Sequence, residues 1–209
     1  MLIREVMHLN PISIKPDTTL QAAYLLLNEN NVRHLPIVSD EKLIGLVTDR
    51  DLRLSTSKLA TKSFEPQTPV SEIMSNPVQT TRPNEPVEIA IQTMREFKIG
   101  CLPVLEDSKL IGIVTVADLL DAMLLMTGVH LPSGRLDVRL TDRAGEIAKL
   151  TKIIAEKNVN IHSILSYHEN NNKLRVVFRV STMEIRPLAK IICAADFEVL
   201  WPIQISCVE

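Results

Sequence analysis

The chain has 209 residues, of which 45% are hydrophobic, so it can form one large domain or two ordinary ones around a sizeable core. Its formal net charge of -2 gives no reason to expect binding to nucleic acid or to an anionic membrane. Only 3% of the residues are aromatic, which argues against a surface on which bases stack.

Neither export nor membrane insertion is indicated. The first residues, MLIREVMHLN, lack the apolar core of a signal peptide. The longest apolar stretch, Ala117 to Met126, is interrupted by Asp118 and Asp121 and is too short to span a bilayer. The three cysteines lie far apart without a Cys-x-x-Cys spacing, which indicates a reducing compartment and no thiolate zinc site. The sequence therefore predicts a cytoplasmic protein.

Two stretches of the chain are nearly the same. The segment LIGLVTDRDL at residues 43–52 and the segment LIGIVTVADL at residues 110–119 are identical at seven of ten positions, 67 residues apart. Further identical pairs at this offset are Met7 and Met74, Pro16 and Pro83, and Gly45 and Gly112. The chain therefore contains a duplicated structural unit.

Each copy predicts the element order β-α-β-β-α. In the first copy, Asp17 or Thr18 can cap an amphipathic helix, and the runs His34–Val38 and Leu43–Thr48 predict a strand pair. A second helix begins near Asp51. The apolar faces of the first helix in the two copies are Leu20, Ala23, Tyr24 and Leu27, and Val87, Ala90, Ile91 and Met94.

The pattern changes beyond the linker at residues 131–134. A strand and a helix are followed by two strands at Ile161–Tyr167 and Leu174–Val180, which a polar turn joins. A helix over Pro187–Ala195 and a last strand through Val199–Ile203 complete the chain. The expected apolar faces are Leu136, Val138 and Leu140 on the first strand and Ile147, Leu150 and Ile154 on the first helix. The order β-α-β-β-α-β is that of ferredoxin-like domains, so the fold class is α+β.

Both copies carry Thr-x-x-Asp where a strand meets a helix, at residues 48–51 and 115–118. One interpretation is a capping box, in which the threonine and the aspartate satisfy the first N–H groups of the helix. The other is a ligand site, because a carboxylate can accept both hydroxyls of a ribose and the helix start can receive a phosphate. Gly45 and Gly112 would then let a ligand approach the backbone. The sequence leaves both interpretations open.

The two copies resemble CBS domains, which pair into Bateman modules. The resemblance rests on NPISIKPDTTLQAAYLLLNENNVRHLPIV with LIGLVTDRD, and on NPVQTTRPNEPVEIAIQTMREFKIGCLPVL with LIGIVTVAD. The tail RLDVRLTDRAGEIAKLTKIIAEKNVNIHSILSY resembles an ACT domain, although Ala144 stands where such domains often have proline. The combination is similar to the acetoin utilization proteins. It implies CBS repeats at residues 1–60 and 61–130 and an ACT-like domain at residues 131–209.

The resemblance also implies a ligand in clefts between the repeats. The ligand would be AMP, ADP, ATP or an S-adenosylmethionine-type compound, with no obligatory cofactor. By motif position, the residues at the ribose or a phosphate are Asp51, Asp118, Thr48 and Thr115. Those lining the base pocket are Ile12, Ser13, Val78 and Thr80. Those that would meet phosphates are Arg33 and His34 in the first repeat and Gly100 and Cys101 in the second.

Basic side chains at and near the motif positions occur in the first repeat but not at the aligned positions of the second. The first repeat contains Arg33, His34, Arg50 and Arg53, whereas Ala117 aligns with Arg50. Charge-assisted hydrogen bonds to phosphate are about twice as strong as neutral ones, so we expect two clefts of unequal phosphate affinity. The alternative for these arginines is a solvated ion pair, such as Asp49 with Arg53.

For the ACT-like region the resemblance implies an amino-acid site at a turn formed by Asp142, Ala144 and Gly145. The alternative is that this turn only caps a helix and that the domain only dimerises.

No P-loop, dinucleotide fingerprint, zinc-protease pair or nucleophile elbow is present, which favours a regulatory sensor over an enzyme. The resemblance implies a homodimer, a regulated enzyme partner and a role in acetoin or acetate metabolism, without nucleic acid, membrane or metal. Two alternatives remain open. One is a structural adaptor with vestigial clefts, and the other is an enzyme whose Thr-Asp-Arg-Asp stretch holds Mg²⁺ with phosphates.

Overall fold

The duplication is present as two sets of helices and strands that correspond except for one short strand. The structure, a computed structural model, describes residues 1–57 and 63–205, and the chain divides into the units Met1–Ala122 and Met123–Glu209. The first copy forms β1 (His8–Leu9), α1 (Leu20–Glu29), β2 (His34–Ser39), β3 (Lys42–Thr48) and α2 (Asp49–Ser55). The second forms α3 (Val87–Phe97), β4 (Cys101–Glu106), β5 (Lys109–Thr115) and α4 (Val116–Met126).

The strand pair predicted in each copy is confirmed, and the two hairpins have the same register. Pro36 faces Leu46 across β2 and β3, and Pro103 faces Ile113 across β4 and β5. Residues 40 and 41 at the first hairpin turn both have positive φ, at 49° and 63°, as a two-residue type I′ turn requires. The duplicated sequence thus encodes a duplicated backbone.

The first strand expected around residues 12–13 and 78–80 is wrong. β1 lies earlier, at His8–Leu9, and the described residues of the second copy contain no equivalent strand. Ile14 and Thr81 form only single parallel bridges, to Ile37 and Val104. Prolines lie on both sides of each bridge, at residues 11 and 16 in the first copy and at residues 77 and 83 in the second. Because proline has no N–H to donate, a longer ladder cannot form at these positions.

The predicted helical faces are largely confirmed. The buried residues of α1 are Leu20, Ala23 and Leu27, and those of α3 are Val87, Ala90 and Met94. Tyr24 is instead 41% exposed. The cap of α1 is Thr19, whose Oγ1 accepts a hydrogen bond from the Ala22 N–H at 3.2 Å. It lies one residue later than expected because the Thr18 carbonyl accepts from the Val70 N–H.

Each copy completes its core with a residue from the leading segment of the other copy. These leading segments are residues 1–9 and 68–76. Ile3 is fully buried against Val87 of the second copy, and Val70 is fully buried against Leu20 of the first. Each copy therefore depends on a segment distant in the sequence.

The glycines and methionines that recur in the two copies pack against each other. A Cβ on Gly112 would stand 2.9 Å from the sulfur of Met7, and a Cβ on Gly45 would collide with the sulfur of Met74. Both glycines lie within strands, β3 and β5, rather than at a strand end. The expectation that these glycines let a ligand approach the backbone is wrong, because a methionine of the other copy fills the space beside each of them.

The second unit has the predicted element order. It contains β6 (Gly134–Thr141), α5 (Glu146–Glu156), β7 (Ile161–Glu169), β8 (Lys173–Val180), α6 (Ile185–Ala194) and β9 (Glu198–Trp201). The sheet order is β7-β8-β6-β9, and each neighbouring pair is antiparallel. Its core includes Leu136, Leu150, Phe178 and Ile192. The last strand ends before Pro202, which has no N–H to donate, rather than at Ile203.

One polar residue of β6 is buried. Leu136 and Val138 point into the core as predicted, but Asp137 between them is only 1% exposed. Arg135 binds both carboxylate oxygens of Asp137 at 2.7 and 2.9 Å, and Arg175 binds Oδ2 at 2.6 Å. Burial by itself would raise the pKa of the Asp137 carboxyl, but these hydrogen bonds hold that pKa below its ordinary value.

Two further observations concern Cys193 and the lengths of the helices. Cys193 of α6 is disulfide-bonded, which the expectation of a reducing compartment does not account for. Among residues 1–57 and 63–205, no helix has both the length and the apolar character needed to cross a membrane.

Candidate functional site

Two cavities of similar size open in the first unit, each beside one Thr-x-x-Asp motif. The first cleft, next to Asp51, has a volume of about 890 Å³, and the second cleft, next to Asp118, has a volume of about 860 Å³. Each combines the strand end and helix start of one copy with residues at or just after the leading segment of the other copy. Distant parts of the sequence therefore meet at each cleft.

Most of the predicted ligand residues line these cavities. Those in the first cleft are Arg33, His34, Thr48, Arg50, Asp51, Val78 and Cys101. Those in the second are Ile12, Arg33, His34, Thr115 and Asp118. Ser13 and Thr80 line neither cleft and are exposed. They precede Ile14 and Thr81, which are buried, and neighbouring side chains of an extended segment point to opposite sides.

Both motifs form complete capping boxes. Thr48 Oγ1 accepts a hydrogen bond from the Asp51 N–H at 3.2 Å, and Asp51 Oδ2 accepts from the Thr48 N–H at 2.9 Å and from its hydroxyl at 2.7 Å. The corresponding distances between Thr115 and Asp118 are 3.4, 2.7 and 2.8 Å. The capping interpretation is confirmed, and each box uses only one carboxylate oxygen.

The other carboxylate oxygen differs between the two clefts. Asp118 Oδ1 lies 2.9 Å from Nε2 of His8, which belongs to the leading segment of the other copy. In the part of the chain that the structure describes, no residue bonds to Asp51 Oδ1. Since a carboxylate oxygen can accept a hydroxyl, the capping role of Asp51 does not exclude a role in ligand binding.

Arg33 and His34 form a wall that both clefts share, together with Gly100. A Cβ on Gly100 would stand 3.1 Å from His34 Nε2, so the imidazole lies close to the backbone there. Burial, followed by the charge of Arg33, lowers the pKa of His34 below its ordinary value. At neutral pH His34 therefore offers a hydrogen bond, while Arg33 supplies positive charge to either cleft.

Positive charge is concentrated in the first cleft. It is lined by Arg33, Arg50, Arg53 and Lys98, whereas Arg33 is the only arginine or lysine among the described residues that line the second. Arg53 forms an ion pair with Asp49 four residues earlier, as the alternative interpretation of these arginines expected. Within residues 1–57 and 63–205, Arg33, Arg50 and Lys98 take part in no ion pair.

Cys101 contributes apolar surface rather than a reactive group. It is only 1% exposed, and burial raises the pKa of its thiol to about 12, so the thiol stays neutral. The described residues also contain no group of three or more His, Cys, Asp or Glu side chains that could hold a metal ion.

Sequence reasoning missed several residues of the clefts, although the duplication contains a signal for them. Lys98 and Asn31 are 67 residues apart, both have positive φ, at 55° and 51°, and they line the first and second clefts respectively. His8 and Ser75 are related by the same offset and also line opposite clefts. Comparing the two copies position by position would have identified them.

The predicted amino-acid site lies in the second unit, at the turn before α5. Gly145 occupies the N-cap position with φ of 92°, and its carbonyl accepts from the Lys149 N–H at 3.0 Å. Asp142 Oδ2 lies 3.0 Å from Nδ1 of His168, and Ala144 is exposed. The turn thus leads directly into α5 without a side-chain cap, and the amino-acid site stays a prediction.

The solved structures that resemble this chain include three that cover about 60% of it. One, from Vibrio cholerae, is of a protein proposed to be an acetoin utilization protein (AcuB), with 30% identity, a TM-score of 0.53, and coverage of 62% of this chain and 94% of the other. CBSX2 in complex with AMP has 28% identity, a TM-score of 0.55, and coverage of 60% and 97%. The CBS domain pair of MJ0100 in complex with 5′-methylthioadenosine and S-adenosyl-L-methionine has 27% identity, a TM-score of 0.53, and coverage of 59% and 95%.

The family assignment follows from the two copies themselves. The CBS domain family matches residues 3–56 and 70–125, together more than half of the chain. These ranges contain both hairpins, both capping boxes and most of the residues that line the two clefts. The chain belongs to the CBS domain family and carries two CBS domains in tandem.

Proposed function

We propose that the protein is a non-enzymatic regulator that binds an adenosine nucleotide or a related adenosyl compound in its two clefts. The observation that carries this proposal is Asp51, whose Oδ2 is held by the capping box while its Oδ1 has no partner among the described residues. The ligand class is supported by two of the similar structures, one a complex with AMP and the other a complex with S-adenosyl-L-methionine and 5′-methylthioadenosine.

The first cleft offers a different surface to each part of such a ligand. Asp51 Oδ1 can accept ribose hydroxyls, since a carboxylate can accept from a vicinal diol. Val78 and Ile99 offer apolar surface to the base. Arg33 and Arg50 carry charges that no described carboxylate neutralises, so they can form charge-assisted bonds to phosphate.

A panel of ligands tests the proposal on the full chain. AMP, ADP, ATP and S-adenosylmethionine, each at about 100 times its dissociation constant, should stabilise the folded protein by about 2.7 kcal/mol per site and raise its melting temperature. Guanosine monophosphate serves as the matched control for base recognition. The absence of a shift with all four adenosyl ligands at millimolar concentration would contradict a sensing role.

Variants of the two aspartates separate capping from ligand binding. Asp51→Ala and Asp118→Ala each remove a capping box, so both should lower the free energy of unfolding by about 1 kcal/mol. Calorimetric titration with AMP should show that Asp51→Ala loses the stronger site. Equal stability losses with unchanged AMP binding would limit both aspartates to capping.

A structural adaptor is the second candidate, and exposed apolar residues on α4 favour it. Leu120 and Leu125 are each 60% exposed, and Leu124 is 44% exposed. Apolar surface of this kind is buried in homodimers, and a twofold dimer is the commonest assembly. Sedimentation should give a dimer at micromolar concentration, and a monomer would contradict this candidate.

We also propose an ACT-like domain at residues 131–209 and a role in acetoin or acetate metabolism. The element order of the second unit supports the first proposal, and the similarity to the Vibrio cholerae protein supports the second. A thermal-shift screen of the full chain with the twenty amino acids tests whether the turn at Asp142 and Gly145 binds one. If none shifts the melting temperature, the turn only caps α5.

A further inference from the structure

His8 and Ser75 occupy equivalent backbone positions in the two copies. His8 pairs with Ile113 of β5, and Ser75 forms a bridge with Leu46 of β3, which is the same arrangement displaced by 67 residues. His8 lines the second cleft and Ser75 lines the first. The backbone is alike at the two positions, and the side chains differ.

Because these side chains differ, the aspartates of the two clefts have different hydrogen-bond partners. Asp118 Oδ2 accepts hydrogen bonds from Thr115, and Oδ1 lies 2.9 Å from His8 Nε2. Since a carboxylate only accepts, the imidazole Nε2 carries the hydrogen of this bond. No bond between Ser75 and Asp51 is found among the described residues. A hydroxyl can therefore reach Asp51 Oδ1 directly, whereas it must displace His8 to reach Asp118 Oδ1.

We propose that His8 makes the two clefts fill in a fixed order, the first before the second, by occupying the carboxylate oxygen that a ribose would use. This inference rests on the proposed function, because it assumes that an adenosyl ligand contacts both aspartates. The His8 side chain is 69% exposed, so it can move into solvent without opening the core. The second cleft then takes a ligand only at the higher concentration that displaces this side chain.

The probe must report on the ribose without involving the phosphate contacts. The other ionisable residues lining the second cleft are Arg33 and His34, which would also attract a nucleotide phosphate. Adenosine contains the base and the ribose but no phosphate, so its binding isolates the competition between a hydroxyl and His8 for Asp118.

Isoleucine methyl groups report on the two clefts separately in the intact chain. Ile99 lines the first cleft, and Ile12 and Ile113 line the second. In an adenosine titration followed by methyl NMR, Ile99 should reach half-saturation at a lower concentration than the other two. His8→Ser should lower the half-saturation concentration at Ile12 and Ile113 about two- to ten-fold, the range expected for the loss of one hydrogen bond. Ile99 should be unchanged.

His8→Gln is the matched control, because its side-chain N–H can still donate to Asp118, and it should keep the wild-type order of filling. Equal half-saturation at both clefts in the wild type, or no change at Ile12 and Ile113 in His8→Ser, would overturn the inference while leaving the proposed function intact. If neither adenosine nor AMP shifts any of the three methyl groups, the proposed function fails and the inference fails with it.

Discussion

The sulfur of Met74 fills the space that a Cβ on Gly45 would need, and the sulfur of Met7 does the same at Gly112. The two contacts are related by the 67-residue offset of the duplication. Each joins the leading segment of one copy to the hairpin of the other. They therefore hold the two leading segments in place, and the residues at the ends of these segments line the clefts.

Gly45→Ala should destabilise the protein. The added methyl group would overlap the Met74 side chain, and overpacking of this kind costs about 1–3 kcal/mol. Urea denaturation measures the loss. As a control, Met74→Ala in the Gly45→Ala background should recover part of it, so the double variant should cost less than the sum of the two single variants. Additive losses would show that the two side chains do not compete for the same space.

Arg33 and Arg50 should differ in how many clefts they affect. Arg33 lines both clefts and Arg50 only the first, so Arg33→Ala should weaken AMP binding at two sites and Arg50→Ala at one. Each lost charge-assisted bond to phosphate should cost about 1.5–3 kcal/mol of AMP binding. Isothermal titration calorimetry with AMP measures the effect.

Adenosine is the control ligand for these two variants, because it has no phosphate. Its affinity should change little in either variant. An equal loss of affinity for adenosine and for AMP would assign the arginines to the shape of the cleft rather than to phosphate contact.

The element order in each copy, except for its first strand, was predictable because it depends on local patterns. The hairpins follow from apolar runs around a polar turn, and the caps follow from Thr-x-x-Asp. The exchange of leading segments was not predictable, because the 3-10 turns at Ile3 and Val70 have no periodic pattern and are buried only by contacts across the duplication. Only part of the lining of each cleft was predicted. A family resemblance identifies the motif residues but not the residues that face them across the cleft.

His34 should make stability depend on pH below neutrality. Burial and Arg33 lower its pKa in the folded protein, so the unfolded chain takes up the proton first as the pH falls. The stability that neutral His34 contributes is complete above its ordinary pKa of 6.5 and declines as the pH drops toward the lowered value. Urea denaturation between pH 7.5 and 5 should show a smaller decline for His34→Gln than for the wild type. Parallel curves would contradict this assignment.

Asp137→Asn should destabilise the second unit. It removes the charge that Arg135 and Arg175 share and should cost about 2 kcal/mol or more, since breaking a buried ion pair leaves its partners unpaired. Arg135→Gln is the matched control and should cost less, because Arg135 is 45% exposed and Arg175 still binds the carboxylate. Thermal unfolding of the full chain measures both, and a larger loss in the control would contradict this order.

The burial of Asp137 could not be predicted from the alternation of apolar and polar residues along β6. The pattern Leu136, Val138, Leu140 correctly assigns Asp137 to the polar face of β6. It does not predict that Asp137 is buried on that face. The arginine on the neighbouring strand, Arg175, covers it, and the pairing of β6 with β8 becomes known only once the sheet order is known.

The exchange of leading segments has a consequence for how such a protein could have arisen. A single ancestral repeat would carry its own leading segment but would have no place for it in its own core, and that core would lack the residue now supplied by Ile3 or Val70. Two identical chains could each complete the other around a twofold axis. Fusion of two such genes would then join the two subunits into one chain and keep the exchange of leading segments. The copies could afterwards diverge independently, as His8 and Ser75 have done.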